Sequence, residues 1–401
     1  MTFLRRELPS AVLLGSAANS LSAARALHDR HVAVDVLGEL RVASMVRGSR
    51  ACRTYFEPAP GGELQDEWLD WLLHSAPRGA VVIPCCDDGV ELVSRHRAGL
   101  EASGLRPVEA SDETNLAMLD KAATYELARR VGVATPRTMT LRTAADVRTA
   151  ADSFGFPSAV KPLHSHKFAR SFSAKGYQLA NAAQLVDVAL PLVAEGHPLL
   201  LTEVVTGPDD EFCSYYSFLD ATGEPLLHFT KRKLRQYPIR FGSGTYHVSR
   251  WDPEVADAGL AFFRGVGLRG IGNVEFKRDG RDGSLKLIEC NPRLTAANEL
   301  IRRAGLDLAA VLYARAAGLP PPPISRTRDG VHQWHVLDDL RGLRAYRRDG
   351  QLTVAAWAAS LLHPQALPYF RWSDPAPSAL NALRRTSRVA RKLRTGTRNA
   401  G

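Results

Sequence analysis

The chain has 401 residues, is 45% hydrophobic and carries a formal charge of +10. This length is enough for two or three domains with buried cores. No stretch approaches the roughly 18 uninterrupted apolar residues of a membrane-spanning helix, and the apolar run at residues 11–14 is too short for a signal peptide. We therefore expect a cytoplasmic protein. The five cysteines form no CxxC pair and their number is odd, so neither a disulfide framework nor a zinc site is indicated.

Most of the excess positive charge lies at the C-terminus. Residues 378–401 contain no acid and seven basic residues, which are Arg384, Arg385, Arg388, Arg391, Lys392, Arg394 and Arg398. The rest of the chain is therefore near neutral, and no specific nucleic-acid partner is expected. A solvated terminal helix is the default interpretation of this tail, and a weak contact with an acidic membrane surface is the alternative.

The first third of the chain predicts a parallel sheet. A short apolar strand at residues 11–14 leads into a loop that begins at Gly15, then into a helix through residues 23–27 and a second strand at residues 32–37. This order is typical of the start of a Rossmann-like sheet. The loop contains one glycine where a dinucleotide fingerprint needs three, so nicotinamide or flavin binding is not indicated.

A third predicted strand, residues 80–83, is followed by Asp87 and Asp88. Open α/β sheets bind ligands at the carboxyl ends of their strands, so these acids are candidates for a site. The alternative, which we favour at this point, is that they are helix N-caps.

Two common nucleotide motifs do not apply. A GxGxxG at residues 265–270 follows a predicted helix and precedes a predicted strand, which reverses the order that the dinucleotide motif requires. We therefore interpret it as a helix-to-strand turn. No GxxxxGK[ST] occurs anywhere in the sequence. A nucleotide would have to bind to another architecture.

The middle of the chain supplies lysines in unusual settings. Asp120 and Lys121 open a predicted helix, and a strand at residues 156–162 carries Lys161 among apolar neighbours. A lysine in that setting is costly unless it meets an anion. A further strand at residues 199–207 breaks at a Gly-Pro pair.

Two strands at residues 273–277 and 285–293 predict a β-hairpin. Alternation along a strand places Glu289 and Asn291 on one face, and the neighbouring strand can bring Glu275 beside them. Carboxylates so close repel one another, and Mg²⁺, which prefers oxygen ligands, relieves the repulsion. The alternative is an exposed hairpin with ordinary surface acids.

A basic cluster at residues 231–238 runs into a Gly-Ser-Gly turn within residues 241–246. Cations compensate the charge of a carboxylate or phosphate, and glycine lets backbone amides approach it. We expect Lys233 and Arg235 to contact the substrate or the phosphates. A solvated basic loop is the alternative.

This ordered series of motifs, over roughly residues 10–320, resembles the ATP-grasp superfamily of carboxylate-amine ligases. The resemblance implies an α/β (α+β ATP-grasp) fold in three parts. These are an N-terminal domain with a Rossmann-like parallel sheet at residues 1–111, a two-subdomain ATP-grasp domain at residues 112–320, and a mostly helical C-terminal extension with the basic tail at residues 321–401.

The resemblance also implies roles for individual residues. Lys121 and Lys161 correspond to lysines that hold ATP phosphates, and Glu211 to the acceptor of the ribose hydroxyls, with Asp210 as an alternative. The remaining correspondences are the adenine-reading hinge Glu203, Val204 and Val205, the Mg²⁺ ligands Glu275, Glu289 and Asn291, and Arg293, which steadies the acyl phosphate or the incoming substrate.

One loop departs from the family pattern. The phosphate-covering loop is usually glycine-rich, whereas residues 164–176 contain only a final glycine. The loop must therefore rely more on side chains, and the choice among them stays open: Lys167, Arg170, Ser171, Ser173 and Lys175. Lys175 is our candidate among them for the phosphate contact. An HxH metal pair at His164 and His166 is disfavoured because no third ligand is evident.

The implied reaction is phosphoryl transfer from ATP to a carboxylate, followed by attack of an amine on the acyl phosphate. It needs ATP and one or two Mg²⁺ ions, for which Mn²⁺ can substitute, and it releases ADP and phosphate. The implied partners are a small-molecule carboxylate and an amine, and a homodimer is left open. The alternatives are an ATP-dependent phosphotransferase and a non-catalytic nucleotide-binding regulator on the same fold.

Overall fold

The computed structural model describes residues 8–39, 44–163, 176–240, 242–324 and 326–383. The chain forms two compact units: the first contains Met1–Glu109, Thr245–Ser249 and Arg293–Gly401, and the second contains Ala110–Gly244 and Arg250–Pro292. Among the described residues, no helix has both the length and the apolar character needed to span a bilayer. The three-part division expected at residues 111 and 320 stays a prediction.

The first unit contains a five-stranded parallel sheet in the order β3-β2-β1-β4-β5. Its elements are β1 (Ala11–Leu14), α1 (Ala18–His28), β2 (Val34–Leu37), β3 (Thr54–Phe56), α2 (Leu64–His74), β4 (Val81–Pro84), α3 (Asp87–Ala102) and β5 (Arg106–Pro107). Every residue of β1, β2 and β4 is buried, as expected for short apolar strands covered on both faces. The predicted Rossmann-like sheet is confirmed.

The start of α3 differs from the sequence-based interpretation. Cys86 is the N-cap residue, and its Sγ accepts the Gly89 amide at 3.4 Å. Asp87 and Asp88 occupy the first turn, where their charge favours the positive end of the helix dipole. The prediction that these acids are N-caps is therefore wrong, although they do follow the carboxyl end of β4.

The second unit begins with two helices and a four-stranded antiparallel sheet in the order β6-β9-β7-β8. Its elements are α4 (Asp112–Leu119), α5 (Lys121–Arg130), β6 (Thr138–Leu141), α6 (Ala144–Ser153), β7 (Ser158–Pro162), β8 (Tyr177–Leu179), α7 (Ala182–Ala194) and β9 (Leu199–Glu203). As predicted, Asp120 begins α5, because its carboxylate accepts the amides of Ala122 and Ala123. Leu141, Val160, Leu185 and Leu201 lie in the core of this part.

A larger antiparallel arrangement, β14-β13-β10-β11, completes the second unit. The elements are β10 (Phe212–Leu219), β11 (Pro225–Tyr237), α8 (Pro253–Gly265), β13 (Gly270–Arg278) and β14 (Leu285–Asn291). The strand β12 (Ser243–Ser249) follows β11 in the chain, but its residues Thr245–Ser249 belong to the first unit. One sheet face packs Tyr215, Val274 and Phe276 against Phe262 and Phe263 of α8. The GxGxxG stretch connects α8 to β13, so the predicted helix-to-strand turn is confirmed.

The remaining elements belong to the first unit. They are α9 (Asn298–Ala304), α10 (Leu308–Ala317), β15 (His332–Trp334), α11 (Val336–Arg348), α12 (Val354–Ser360) and β16 (Gln365–Ala366). β15 pairs antiparallel with β12 and parallel with β16. The buried Asp339 carboxylate holds this part together, since it accepts hydrogen bonds from Thr245, Trp334 and Trp357 at 2.8–3.0 Å. The seven basic residues of the tail lie outside the described residues, so the membrane contact stays a prediction.

The contact of α8 with the large sheet depends on Gly259. A Cβ atom at this position would lie 2.4 Å from Tyr215 Cδ1, whereas a Cβ at Gly99 in α3 would meet nothing within 4 Å. We expect Gly259→Ala to lower the free energy of unfolding by about 1–3 kcal/mol through overpacking. Gly99→Ala should raise it by about 0.5–1 kcal/mol through helix propensity. Chemical denaturation of both variants checks this, and equal effects would contradict the packing.

Candidate functional site

Two carboxylates are held side by side in the second unit. β13 and β14 form the predicted hairpin, and their register places Glu275 opposite Glu289 and Asn273 opposite Asn291. Directly opposed side chains in an antiparallel pair lie on the same face with Cβ atoms about 4.5–5.5 Å apart. The face is the one opposite the apolar core, because Val274 and Phe276 point into that core. The hairpin therefore presents two acids together.

Lysines from three other segments surround these acids. Lys233 Nζ lies 3.1 Å from Glu275 Oε1, and Lys121 Nζ lies 3.3 Å from Glu289 Oε1. Lys161 on β7 is half-buried, and desolvation lowers its pKa; nearby Lys121 adds to the effect, while Glu289 and Glu275 oppose it. The structure thus brings Lys121, Lys161 and Lys233 to the predicted Mg²⁺ ligands.

The strand β11 contributes a further lysine that the sequence analysis did not select. Lys231, Lys233 and Arg235 alternate onto one face and are 5–7% exposed. Lys231 lies opposite Ser214, which lies opposite Glu275, so the three residues form one row across the sheet. Burial lowers the pKa of Lys231 to about 8, with Glu275 opposing the shift. The alternation of basic residues at positions 231, 233 and 235 of β11 was the sequence signal that could have identified Lys231.

The donor set of this cluster fits Mg²⁺ and phosphate groups. Glu275, Glu289 and Asn291 offer the oxygen atoms that Mg²⁺ prefers. The Asn291 amide nitrogen donates to Asn273 Oδ1 at 3.3 Å, so its oxygen is the atom available to a cation. Four lysines, namely Lys121, Lys161, Lys231 and Lys233, outnumber the two carboxylates among the described residues. That excess of positive charge suits a polyphosphate.

The predicted hinge begins at the end of β9. Glu203 is the last residue of β9, and its carboxylate accepts the Arg137 amide at 3.0 Å and pairs with Arg281. Burial alone would raise the pKa of Glu203, but the Arg137 amide and the Arg281 guanidinium outweigh burial and lower it. Val205 is buried, and the Val204 amide approaches the Pro157 carbonyl at 3.4 Å.

Both candidates for the ribose acceptor lie just before β10. The Arg232 guanidinium donates to Glu211 Oε1 at 3.0 Å and to Asp210 Oδ2 at 3.2 Å. The choice between them therefore stays open. Glu211 also borders a cavity of about 210 Å³ whose walls include Cys213 and Arg250.

Arg293 belongs to the first unit. Its Nε donates to Asp87 Oδ1 at 2.6 Å, beside the carboxyl end of β4. Ligand atoms of Glu39, Cys86 and Asp88 lie within 4.8 Å of one another in the same unit. Burial raises the pKa of Glu39, although the Ser16 amide opposes the shift. Lys175 and the rest of residues 164–175, including His164 and His166, lie outside the described residues.

Comparisons with known proteins agree on one family. The D-alanine–D-alanine ligase of Xylella fastidiosa is 30% identical over 224 residues, which are 52% of this chain and 69% of the relative. The D-aspartate ligase of Enterococcus faecium is 23% identical over 323 residues, 74% of each chain. The solved ADP complex of an N5-carboxyaminoimidazole ribonucleotide synthetase has the same fold, with a TM-score of 0.62, 15% identity and 82% of each chain covered. No family model matches the sequence. The chain belongs to the ATP-grasp superfamily of carboxylate-amine ligases.

The lowered pKa of Lys231 predicts that the stability of the protein depends on pH. Between about pH 8 and its ordinary value near 10.5, the unfolded chain holds a proton that the folded chain has released, so this group makes stability rise with pH. Relative to Lys231→Met, the wild type should therefore gain about 1–3 kcal/mol of unfolding free energy between pH 7 and 10.5. Urea denaturation of both proteins across this range measures the difference. A difference in unfolding free energy between the two proteins that does not change with pH would contradict a lowered pKa for the buried Lys231.

Proposed function

We propose that the protein is an ATP-dependent ligase that joins a carboxylate to an amine through an acyl phosphate. The observation that carries the proposal is the opposed pair Glu275 and Glu289, held on one sheet face within 3.1–3.3 Å of Lys233 and Lys121. A pair of carboxylates surrounded by an excess of lysines suits a metal-bound polyphosphate. The membership of the ATP-grasp superfamily supports this interpretation.

The proposed reaction has two steps. A carboxylate oxygen attacks the γ-phosphorus of ATP, the bond to the β-γ bridging oxygen breaks, and ADP leaves. The amine then attacks the acyl carbon, loses a proton, and displaces inorganic phosphate that contains the original carboxylate oxygen. A carboxylate is a poor electrophile, and phosphorylation gives it a leaving group.

The contribution of the chain to these steps is positioning and charge compensation. Lys121, Lys161 and Lys231 balance the negative charge of the phosphates. Lys233, which pairs with Glu275, can stabilise negative charge that develops beside Glu275 during the reaction. Glu275, Glu289 and Asn291 would hold Mg²⁺, which would supply Lewis-acid polarisation of the phosphate oxygens. No nucleophilic side chain is required.

Other contacts complete the proposal. The hinge at Glu203, Val204 and Val205 reads adenine, and Glu211 or Asp210 accepts the ribose hydroxyls. Lys175 contributes to phosphate binding, and Arg235 contacts the substrate or the phosphates. Arg293 steadies the acyl phosphate or the incoming substrate. The number of Mg²⁺ ions, the substitution of Mn²⁺, a homodimer and a cytoplasmic location stay predictions.

The test begins with a search for substrates. Amino acids are the first carboxylates and amines to screen, because the names of two relatives, D-aspartate ligase and D-alanine–D-alanine ligase, refer to amino acids. Release of ADP in the presence of Mg²⁺ identifies an active pair. The carboxylate is then labelled with heavy oxygen, and the products are analysed by mass spectrometry.

The proposed route transfers one labelled atom to inorganic phosphate, with ADP as the other nucleotide product. Label in AMP would contradict the acyl phosphate and indicate an adenylate. Label in a stable phosphorylated product that forms without the amine would instead establish the phosphotransferase alternative.

A further inference from the structure

The turn between β13 and β14 contacts the hinge segment, which we define as residues 203–207. Lys277, the penultimate residue of β13, is 7% exposed. Its ammonium donates to the Val205 carbonyl at 2.9 Å and to the Gly207 carbonyl at 2.8 Å. Burial lowers the pKa of Lys277, while Asp209 opposes the shift. A buried cation therefore fixes two peptide groups of the hinge segment in one orientation.

Asp279 makes a second connection. Its side chain is fully buried, and its Oδ1 accepts the Thr206 hydroxyl of the hinge segment at 2.7 Å. The carboxylate also pairs with Arg281 and, at 2.8 Å, with Lys286. The hydrogen bond from Arg281 lowers the pKa of Asp279 well below its usual range, which keeps the acceptor ionised.

Arg281 and Lys286 also approach Glu203, which lies at the other end of the hinge segment. Arg281 pairs with the Glu203 carboxylate, and Lys286 Nζ lies 3.9 Å from Glu203 Oε2. Glu203 and Asp279 thus share their partners. This network joins the end of β9 to the turn of the hairpin through charged hydrogen bonds, which are stronger than neutral ones.

The two backbones also touch directly. The Gly280 amide donates to the Thr206 carbonyl at 3.3 Å. A Cβ at Gly280 would lie 3.3 Å from the Gly207 backbone, and Gly207 has a φ of +99°. Glycine at both positions permits this approach, because a side chain would press the segments apart or strain the turn.

We propose that Lys277, Asp279 and Thr206 are positioning residues that fix the hinge segment for recognition of the nucleotide base. The proposal rests on the proposed function, in which this segment reads adenine. Adenine and guanine differ in the hydrogen-bonding atoms at their edge, so discrimination requires backbone donors and acceptors held in one place. The hairpin that carries Glu275 and Glu289 supplies that support from its turn.

This arrangement divides the affinity for ATP into a contribution from the phosphates and a contribution from the base. The lysine and glutamate cluster engages the phosphates, whereas Thr206 and Asp279 of this network act on the hinge segment. Loosening the turn should therefore weaken ATP without weakening a ligand that consists only of phosphates. A general loss of structure would weaken both ligands.

The test compares ATP, GTP and inorganic tripolyphosphate by calorimetry with Mg²⁺ present. Thr206→Val deletes only the hydroxyl bond to Asp279, and Lys277→Met removes the ammonium from both carbonyls. Each variant should weaken ATP about tenfold, the scale of one or two net hydrogen bonds, and lower the ratio of ATP to GTP affinity. Tripolyphosphate affinity should change by less than about twofold in Thr206→Val, which removes no charge. Lys277→Met also removes a cation near Lys233, so the effect of this variant on the base is measured by the ratio of ATP to GTP affinity.

Asp282→Asn is the matched control, because Asp282 lies in the same turn and accepts from Ser284 rather than from the hinge segment. It should leave all three affinities unchanged. If Lys277→Met unfolds, Thr206→Val carries the test, as it is nearly isosteric. Unchanged base discrimination in folded variants, or equal loss of ATP and tripolyphosphate in Thr206→Val, would overturn the inference alone. A wild type that binds neither ATP nor tripolyphosphate would overturn the proposed function as well.

Discussion

The forced proximity of Glu275 and Glu289 is the constraint on which the candidate site depends. The register of β13 and β14 fixes it, and a slip of β14 by one residue would turn Glu289 towards the apolar core on α8 and away from Glu275. Two neighbouring carboxylates raise the free energy of the folded chain unless cations compensate them. Lys121 and Lys233 do so in the structure, and a metal ion bound as proposed would compete with these lysines for the same oxygen atoms.

The hairpin connects this constraint to the rest of the second unit. Its apolar face packs on α8, its polar face carries the carboxylates, and its turn holds the hinge segment through Lys277 and Asp279. One rigid element therefore supports both the phosphate end and the base end of the proposed nucleotide site. Such pre-organisation reduces the ordering that binding would otherwise require.

Local patterns in the sequence were enough to predict much of this arrangement. Alternation along β14 predicted the shared face of Glu289 and Asn291, and Asp120 before a helical run predicted the start of α5. The links of the turn to the hinge segment were not predictable, because Thr206 and Asp279 are 73 residues apart and nothing local pairs them. Asp87 and Asp88 were misassigned because a cysteine rarely caps a helix, yet Cys86 does so here.

The dependence of ATP affinity on Mg²⁺ tests the central claim most directly. Calorimetry with and without Mg²⁺ would compare the wild type with the double variant Glu275→Gln and Glu289→Gln. Without Mg²⁺ the variant should bind ATP more tightly than the wild type, because two charges that repel the phosphates are gone while the lysines remain. Adding Mg²⁺ should strengthen the wild type about tenfold or more and the variant less than about twofold. An equal gain from Mg²⁺ in both proteins would contradict the account.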